Sequence, residues 1–144
     1  MGDGSVIERM FLKIVFLTSI SMSFQGFRDL IVFQKSYELA IEIFKVSCNF
    51  PVEEKYSLID QIRRSSRSIP VNIAESWAKR IYLKAFINKL SDALGEEFET
   101  EVWLNMAYDL NYISSDIHHD FISKYDEIRK MLISMINNPN KFCK

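Results

Sequence analysis

The stretch from Leu58 to Trp77 constrains the fold more than any other. Leu58, Ile59, Ile62, Ser65, Ser66, Ile69, Ile73 and Trp77 fall on one side when the chain is wound at about 100° per residue, which is the signature of a helix with one buried face. Pro70 lies inside that stripe; it has no N–H to offer the carbonyl of Ser66, so a kink or local loosening is predicted there and not an end. Ser65 and Ser66 are small enough to let a second helix come close.

The same three- and four-residue periodicity fills the rest of the chain. Asp29 is placed to cap a first helix with its stripe at Leu30, Phe33, Tyr37, Ala40, Ile41, Phe44 and Cys48. Pro51 suits the first turn of the second helix, with Glu53 and Glu54 at its positive end, and that helix is predicted to reach about Trp77. A third runs from Ile81 to Leu110, about 45 Å at the usual rise. Asn111 tolerates the left-handed conformation that closes a helix, and Ser114 or Ser115 can cap a fourth, striped by Ile117, Phe121, Tyr125, Ile128, Leu132 and Met135. No strand-like alternation competes. Four helices joined by short turns predict an all-α, up-down-up-down antiparallel four-helix bundle. A chain of 144 residues, 48% apolar, suffices for one core of this kind.

The ends read differently. Residues 1–26 form an irregular N-terminal extension, 27–138 the bundle and 139–144 a tail. Met10–Ile20 is apolar, but Lys13 interrupts it and it falls short of the roughly 20 residues a bilayer requires. Asp3 and Glu8 spoil the basic leader of a signal peptide, and the change in composition makes Met22 a plausible natural start. Cys48 and Cys143 have no metal or disulfide spacing, so reduced thiols, no membrane and a cytoplasmic location are expected.

Charge is segmented. Residues 60–90 hold seven Lys/Arg against two acids, and 91–127 hold ten acids against Lys124. Glu97 and Glu101 lie in the apolar face of the third helix, where an unpaired carboxylate is costly. They are predicted to meet Arg63 or Arg67, or the amides of Gln61 and Asn72, in a polar seam between helices two and three. The alternative use of these arginines is phosphate binding, for which Arg64 points away from the stripe and stays free. Lys79, Arg80, Lys84 and Lys89 with Tyr82 are the main nucleic-acid candidates, a basic cluster with an aromatic that can stack a base; the competing reading is a solvated helix face. Val102, Trp103, Met106 and Leu110 make a second apolar side on the third helix, either a subunit or partner interface or a surface covered by Phe11–Phe16.

Catalysis has little to rest on. A di-metal carboxylate bundle needs Glu-x-x-His on two helices, whereas Asp116-x-x-His119 is a single weaker substitute and His118 points elsewhere. Nucleophile elbow, phosphate loop and dinucleotide fingerprint are missing from the sequence. No enzyme activity, cofactor, metal or small-molecule substrate is expected.

Several segments also resemble a known family. F-R-D-L-I-V-F-Q (27–34), F-P-V-E-E-K-Y-S-L (50–58), Q-I-R-R-S-S-R-S-I-P-V-N-I-A-E (61–75), L-S-D-A-L-G-E-E-F-E-T-E (90–101) and D-L-N-Y-I (109–113) are similar to the bacterial four-helix-bundle proteins related to the 23S rRNA intervening-sequence protein. Gln61, Arg63, Arg64, Ser68, Ile69, Asn72, Ile73, Ala74 and Glu75 stand at the family's second-helix motif, and Gly95, Glu99 and Glu101 at its third-helix positions. Ser76 and Ala78 replace expected glycines in the following turn, Ala85 replaces an acid, and Asn111 replaces a glycine. The resemblance implies a small cytoplasmic bundle assembled as a homopentamer, without established catalysis. It also implies a relationship to accessory proteins that partner a reverse transcriptase, and hence RNA, DNA or a polymerase as partner. The other reading is a selfish-element or structural protein with no ligand beyond its own subunits.

Overall fold

The computed structural model describes residues 25–143, and the expectations for the N-terminal extension, the Met22 start and cover by Phe11–Phe16 lie outside the described residues. Four helices make up the fold: α1 (Ile31–Ser47), α2 (Leu58–Ala78), α3 (Leu83–Asp109) and α4 (Ser115–Asn137), with short 3-10 turns at Phe27–Asp29, Val52–Glu54 and Pro139–Lys141.

Side-chain bridges give the direction of each helix. Glu54, just before α2, meets Tyr112, just after α3, while Glu75 near the end of α2 pairs with Lys89 near the start of α3. His118 of α4 reaches Asn105 of α3, and Arg129 reaches Glu101, so α3 and α4 also run antiparallel. Lys35 and Glu42 of α1 pair with Glu127 and Lys124 of α4 in the same reversed order. Each helix therefore touches its two neighbours in a closed cycle, and α1 and α3 stand diagonally opposite with no direct packing between them.

The core follows the predicted stripes on α2, α3 and α4 but not on α1. There Val32, Ser36, Leu39, Ala40, Ile43 and Ser47 face inward and the predicted Tyr37, Ile41, Phe44 and Cys48 are exposed, because the helix is rotated so that a neighbouring set of residues meets α2 and α4. Ile43 of α1, Ile62, Ile69 and Ile73 of α2, Phe86, Leu90 and Leu104 of α3, and Ile128 and Leu132 of α4 are fully buried. α2 continues as one helix through buried Pro70. The serines beside the proline let α3 approach: Thr100 Oγ1 donates to Ser65 Oγ across the interface at 2.8 Å. The two hydroxyls are buried and satisfy one another across the interface, as a close crossing requires.

Three terminal details depend on local chemistry. Asp29 does not cap α1; Leu30 occupies the cap position, and the Asp29 carboxylate accepts from the Gln25 N–H because the helix begins one residue later than the stripe suggests. α2 begins at Leu58 and not at Pro51, since Val52–Glu54 makes a 3-10 turn and Ser57 leaves helical geometry. Glu54 then serves as the cap: its carboxylate accepts from the Leu58 N–H and the Ser57 hydroxyl, contacts that lower its pKa, the serine most. At the far end of α3, Asn111 takes φ 61°, Tyr112 N–H reaches the Ala107 carbonyl and Asn111 N–H the Tyr108 carbonyl, a Schellman closure on a non-glycine residue. The Ser114 hydroxyl accepts from the Ile117 N–H and caps α4 as expected.

Candidate functional site

The acidic residues of α3 find their partner on α4. Glu97 is fully buried, and Arg129 Nη1 lies 3.6 Å from its Oε1 and 2.6 Å from Glu101 Oε1, while Nη2 holds Asp126. The predicted seam between α2 and α3 is therefore corrected. Arg63 donates through Nε to Ser47 Oγ at 2.8 Å and lies over the Phe44 ring at 4.4 Å, and Arg67 shares that ring at 5.7 Å. Asn72 bonds back to the Ser68 carbonyl of its own helix, and Gln61 lines a groove beside Trp103. The reason is rotational: residues 63 and 67 sit on the α1 edge of α2, whereas 97 and 101 sit on the α4 edge of α3.

Burial raises the Glu97 carboxyl from an ordinary 4.5 to about 8, with the hydrogen bond and charge of Glu101 adding to it and Arg129 opposing. Neither Glu97 oxygen has a hydrogen-bond partner while both carboxyls are ionised, because two carboxylates only accept. A proton on Glu97 supplies the missing donor toward Glu101. The Tyr125 hydroxyl, also buried and unpartnered among the described residues, has its pKa raised by burial first and by Glu97 next. Burial in this cluster thus favours the protonated form of the Glu97 carboxyl.

The basic residues predicted around the α2–α3 turn differ in their surroundings. Lys89 is engaged by Glu75 at 2.8 Å and Asp92 at 3.7 Å, with the Glu75 contact raising its pKa most. The Arg80 guanidinium stacks 3.8 Å from the Trp77 ring centroid. Lys79, Tyr82 and Lys84 stay exposed around the α2–α3 turn. Cations also gather on the outer face of α2, where a groove of about 490 Å³ is bordered by Lys55, Tyr56, Arg63, Arg64 and Arg67. Arg64 is exposed there, as expected, although its charge reaches Glu96 of α3.

Val102, Met106 and Leu110 are about half exposed on α3 and are joined by Phe98; Trp103 is partly buried and donates through Nε1 to Glu99. Tyr37, Ile41 and Phe44 form a second exposed apolar stripe along α1. His118 stacks on Tyr108 and bonds Asn105, and among the described residues no group of three or more His, Cys, Asp or Glu is placed to hold a metal. No helix among them is long and apolar enough to cross a membrane.

Sequence reasoning misses Arg129, Tyr56 and Thr100. Arg129 carries a faint signal, a cation one position past the buried Ile128 in the α4 stripe. Tyr56 carries none, because it lies in the turn before α2.

The family model for the 23S rRNA-intervening sequence protein matches residues 28–134, from the turn before α1 nearly to the end of α4. The chain belongs to this family. A crystal structure at 1.70 Å of a protein of unknown function, from the S23 ribosomal protein family of Bacteroides thetaiotaomicron VPI-5482, is 35% identical and superposes with a TM-score of 0.67 over 74% of this chain and 96% of that one. No curated protein matches. Neither the family nor this relative is described by a chemical activity.

Proposed function

We propose that the protein is a cytoplasmic, non-catalytic scaffold that assembles from copies of itself and holds a nucleic acid or a nucleic-acid enzyme such as a reverse transcriptase. One observation carries the assembly: two exposed apolar stripes, Tyr37–Ile41–Phe44 on α1 and Phe98–Val102–Met106–Leu110 on α3, lie on helices diagonal to one another. Faces on opposite sides of one subunit favour a head-to-tail contact, the α3 belt of one copy against the α1 stripe of the next, and such contacts close into rings when the rotation allows. Aromatic residues and methionine suit the centre of such an interface. The family resemblance supports five subunits.

Complementary variants test this contact. Ile41→Asp blocks the α1 face and Val102→Asp the α3 face; both sites are exposed, so each variant is expected to fold and to run as a monomer. Mixed in equal amounts, the two pair through the intact faces into a dimer that grows no further. If either variant alone still forms the full assembly, the head-to-tail reading fails.

The second reading is self-assembly with no client, and the acid-rich α3 and α4 favour it, since they repel a long duplex. Nucleic-acid binding by the intact assembly separates the two readings.

A further inference from the structure

We propose that the groove on the outer face of α2, bordered by Lys55, Tyr56, Arg63, Arg64 and Arg67, binds a single strand of nucleic acid, with the cations on phosphates and Tyr56 stacked on a base. This rests on the client-binding part of the scaffold reading and not on its assembly.

Charge comes first. Four cationic side chains border the groove against one carboxylate, Asp60, and none of the three arginines makes an ion pair among the described residues. In a chain of net charge −1 such a concentration is local, and it sits away from Glu97, Glu101 and Asp126, which Arg129 neutralises on the far side of α3. Lys89, near the start of α3, is held by Glu75 and Asp92, which leaves Lys79, Arg80 and Lys84 around the α2–α3 turn against the four cations of the groove.

Two of the arginines are also preorganised. Arg63 is fixed by Ser47 Oγ at 2.8 Å and by the Phe44 ring beneath it, and Arg67 rests on the same ring. An arginine already held in place loses less rotamer freedom when it meets a phosphate, and its planar fork matches phosphate oxygens. Arg67 follows Arg64 by three residues and Arg63 by four, so the three span about 100° of the outer helix surface over about one turn, about 6 Å along the axis. That length matches the spacing of neighbouring phosphates on an extended strand.

Tyr56 supplies a surface for the base. It is 86% exposed, the most exposed large apolar side chain of the described residues, and Lys55 Nζ lies 5.2 Å from its ring centroid. A tyrosine left in water at the rim of a cationic groove offers a stacking platform with phosphate-binding charge beside it, the combination that single-strand sites use. An acidic protein segment would use the cations but has no need of the ring, so the single strand is the favoured ligand.

Fluorescence anisotropy with labelled oligouridine of about ten nucleotides, on the full-length protein, tests the assignment. The expected binding weakens with salt at a slope of about −2 to −3 in log K against log salt, as three or four phosphates on a single strand require. The exposed pair Arg64→Gln/Arg67→Gln weakens binding at least tenfold and makes the slope shallower by about one. Tyr56→Ala weakens it about tenfold and leaves the slope alone. The control Lys79→Gln/Lys84→Gln binds as the parent does. Loss of binding in that control instead of in the groove variants overturns the groove and leaves the client reading standing at the turn. Polyglutamate displacing the strand as well as unlabelled oligouridine does, with Tyr56→Ala unchanged, overturns it in favour of an acidic protein. No binding by the parent at low salt overturns both groove and nucleic-acid client, while assembly, read by light scattering, is unaffected.

Discussion

Two charged regions of this protein, each built on a helix of the same bundle, meet opposite fates. On α2, Arg63, Arg64 and Arg67 stay toward the outside, Arg63 and Arg67 propped on Phe44, and none forms a close ion pair among the described residues, although the charge of Arg64 is felt by Glu96. On α3, Glu97 and Glu101 turn inward, where one arginine from α4 serves both and a proton completes the balance. The difference teaches that charge content alone says little about role. Which edge of a helix a charge occupies, relative to the neighbour packed there, decides whether it is spent on the fold or kept for a partner.

The largest loss of stability should come from removing the shared cation. Arg129→Met leaves Glu97 and Glu101 together in the interior without their arginine, and a loss of about 3 kcal/mol is expected in urea unfolding above pH 8. The loss should shrink near pH 5, where Glu97 carries its proton. Equal destabilisation at both values would break the comparison, because it would mean that Arg129 acts through packing alone.

Glu97→Gln should change stability in the opposite direction, by an amount that depends on pH. The folded carboxyl holds its proton up to about 8, whereas in the unfolded chain it loses it near 4.5. Between those values the folded state binds more protons, so stability falls as pH rises through the window and levels off above about 8, at up to about 1.4 kcal/mol per unit. The amide keeps the shape and cannot ionise. The variant should therefore match the parent near pH 5, exceed it at pH 9, and lose most of the slope; an unchanged slope would place the titrating group elsewhere.

Arg64→Gln with Arg67→Gln should barely register in the same assay, within about 0.5 kcal/mol, since both side chains are exposed. A loss of several kcal/mol would mean that these arginines hold the bundle together after all, as a polar seam between α2 and α3 would require.

That contrast also shows how far the sequence can be read. Helix number and order are properties of one helix at a time, and the 3.6-residue period at Ile62, Ile69 and Ile73 or at Phe121, Tyr125 and Ile128 states the buried stripe as well. In contrast, α1 is apolar on two sides, and there the period does not say that Leu39 and Ile43 face inward and Tyr37, Ile41 and Phe44 outward. The closing of α3 at Asn111 and the Ser114 cap are equally local. Partners across an interface depend on how two helices are rotated and shifted against each other, which no single stripe records. Hence the need of Glu97 and Glu101 for a cation is legible, but the helix that supplies it is not, and the link between α2 and α3 is Ser65 with Thr100. The start of α2 misleads for a related reason: Pro51 and two acids suit a helix N-terminus, but the Glu54 side chain caps a helix that begins four residues later. Tyr56 stays invisible because exposure in a turn has no periodicity.

The exposed stripes on α1 and α3 bear the main weight of the account, since they are the reason to regard this bundle as one part of a larger assembly. The mass of the purified full-length protein by multi-angle light scattering at tens of micromolar tests that most directly. A single species at a whole multiple of 16.9 kDa, five by family resemblance, is the expected result. A strict monomer at that concentration would contradict it.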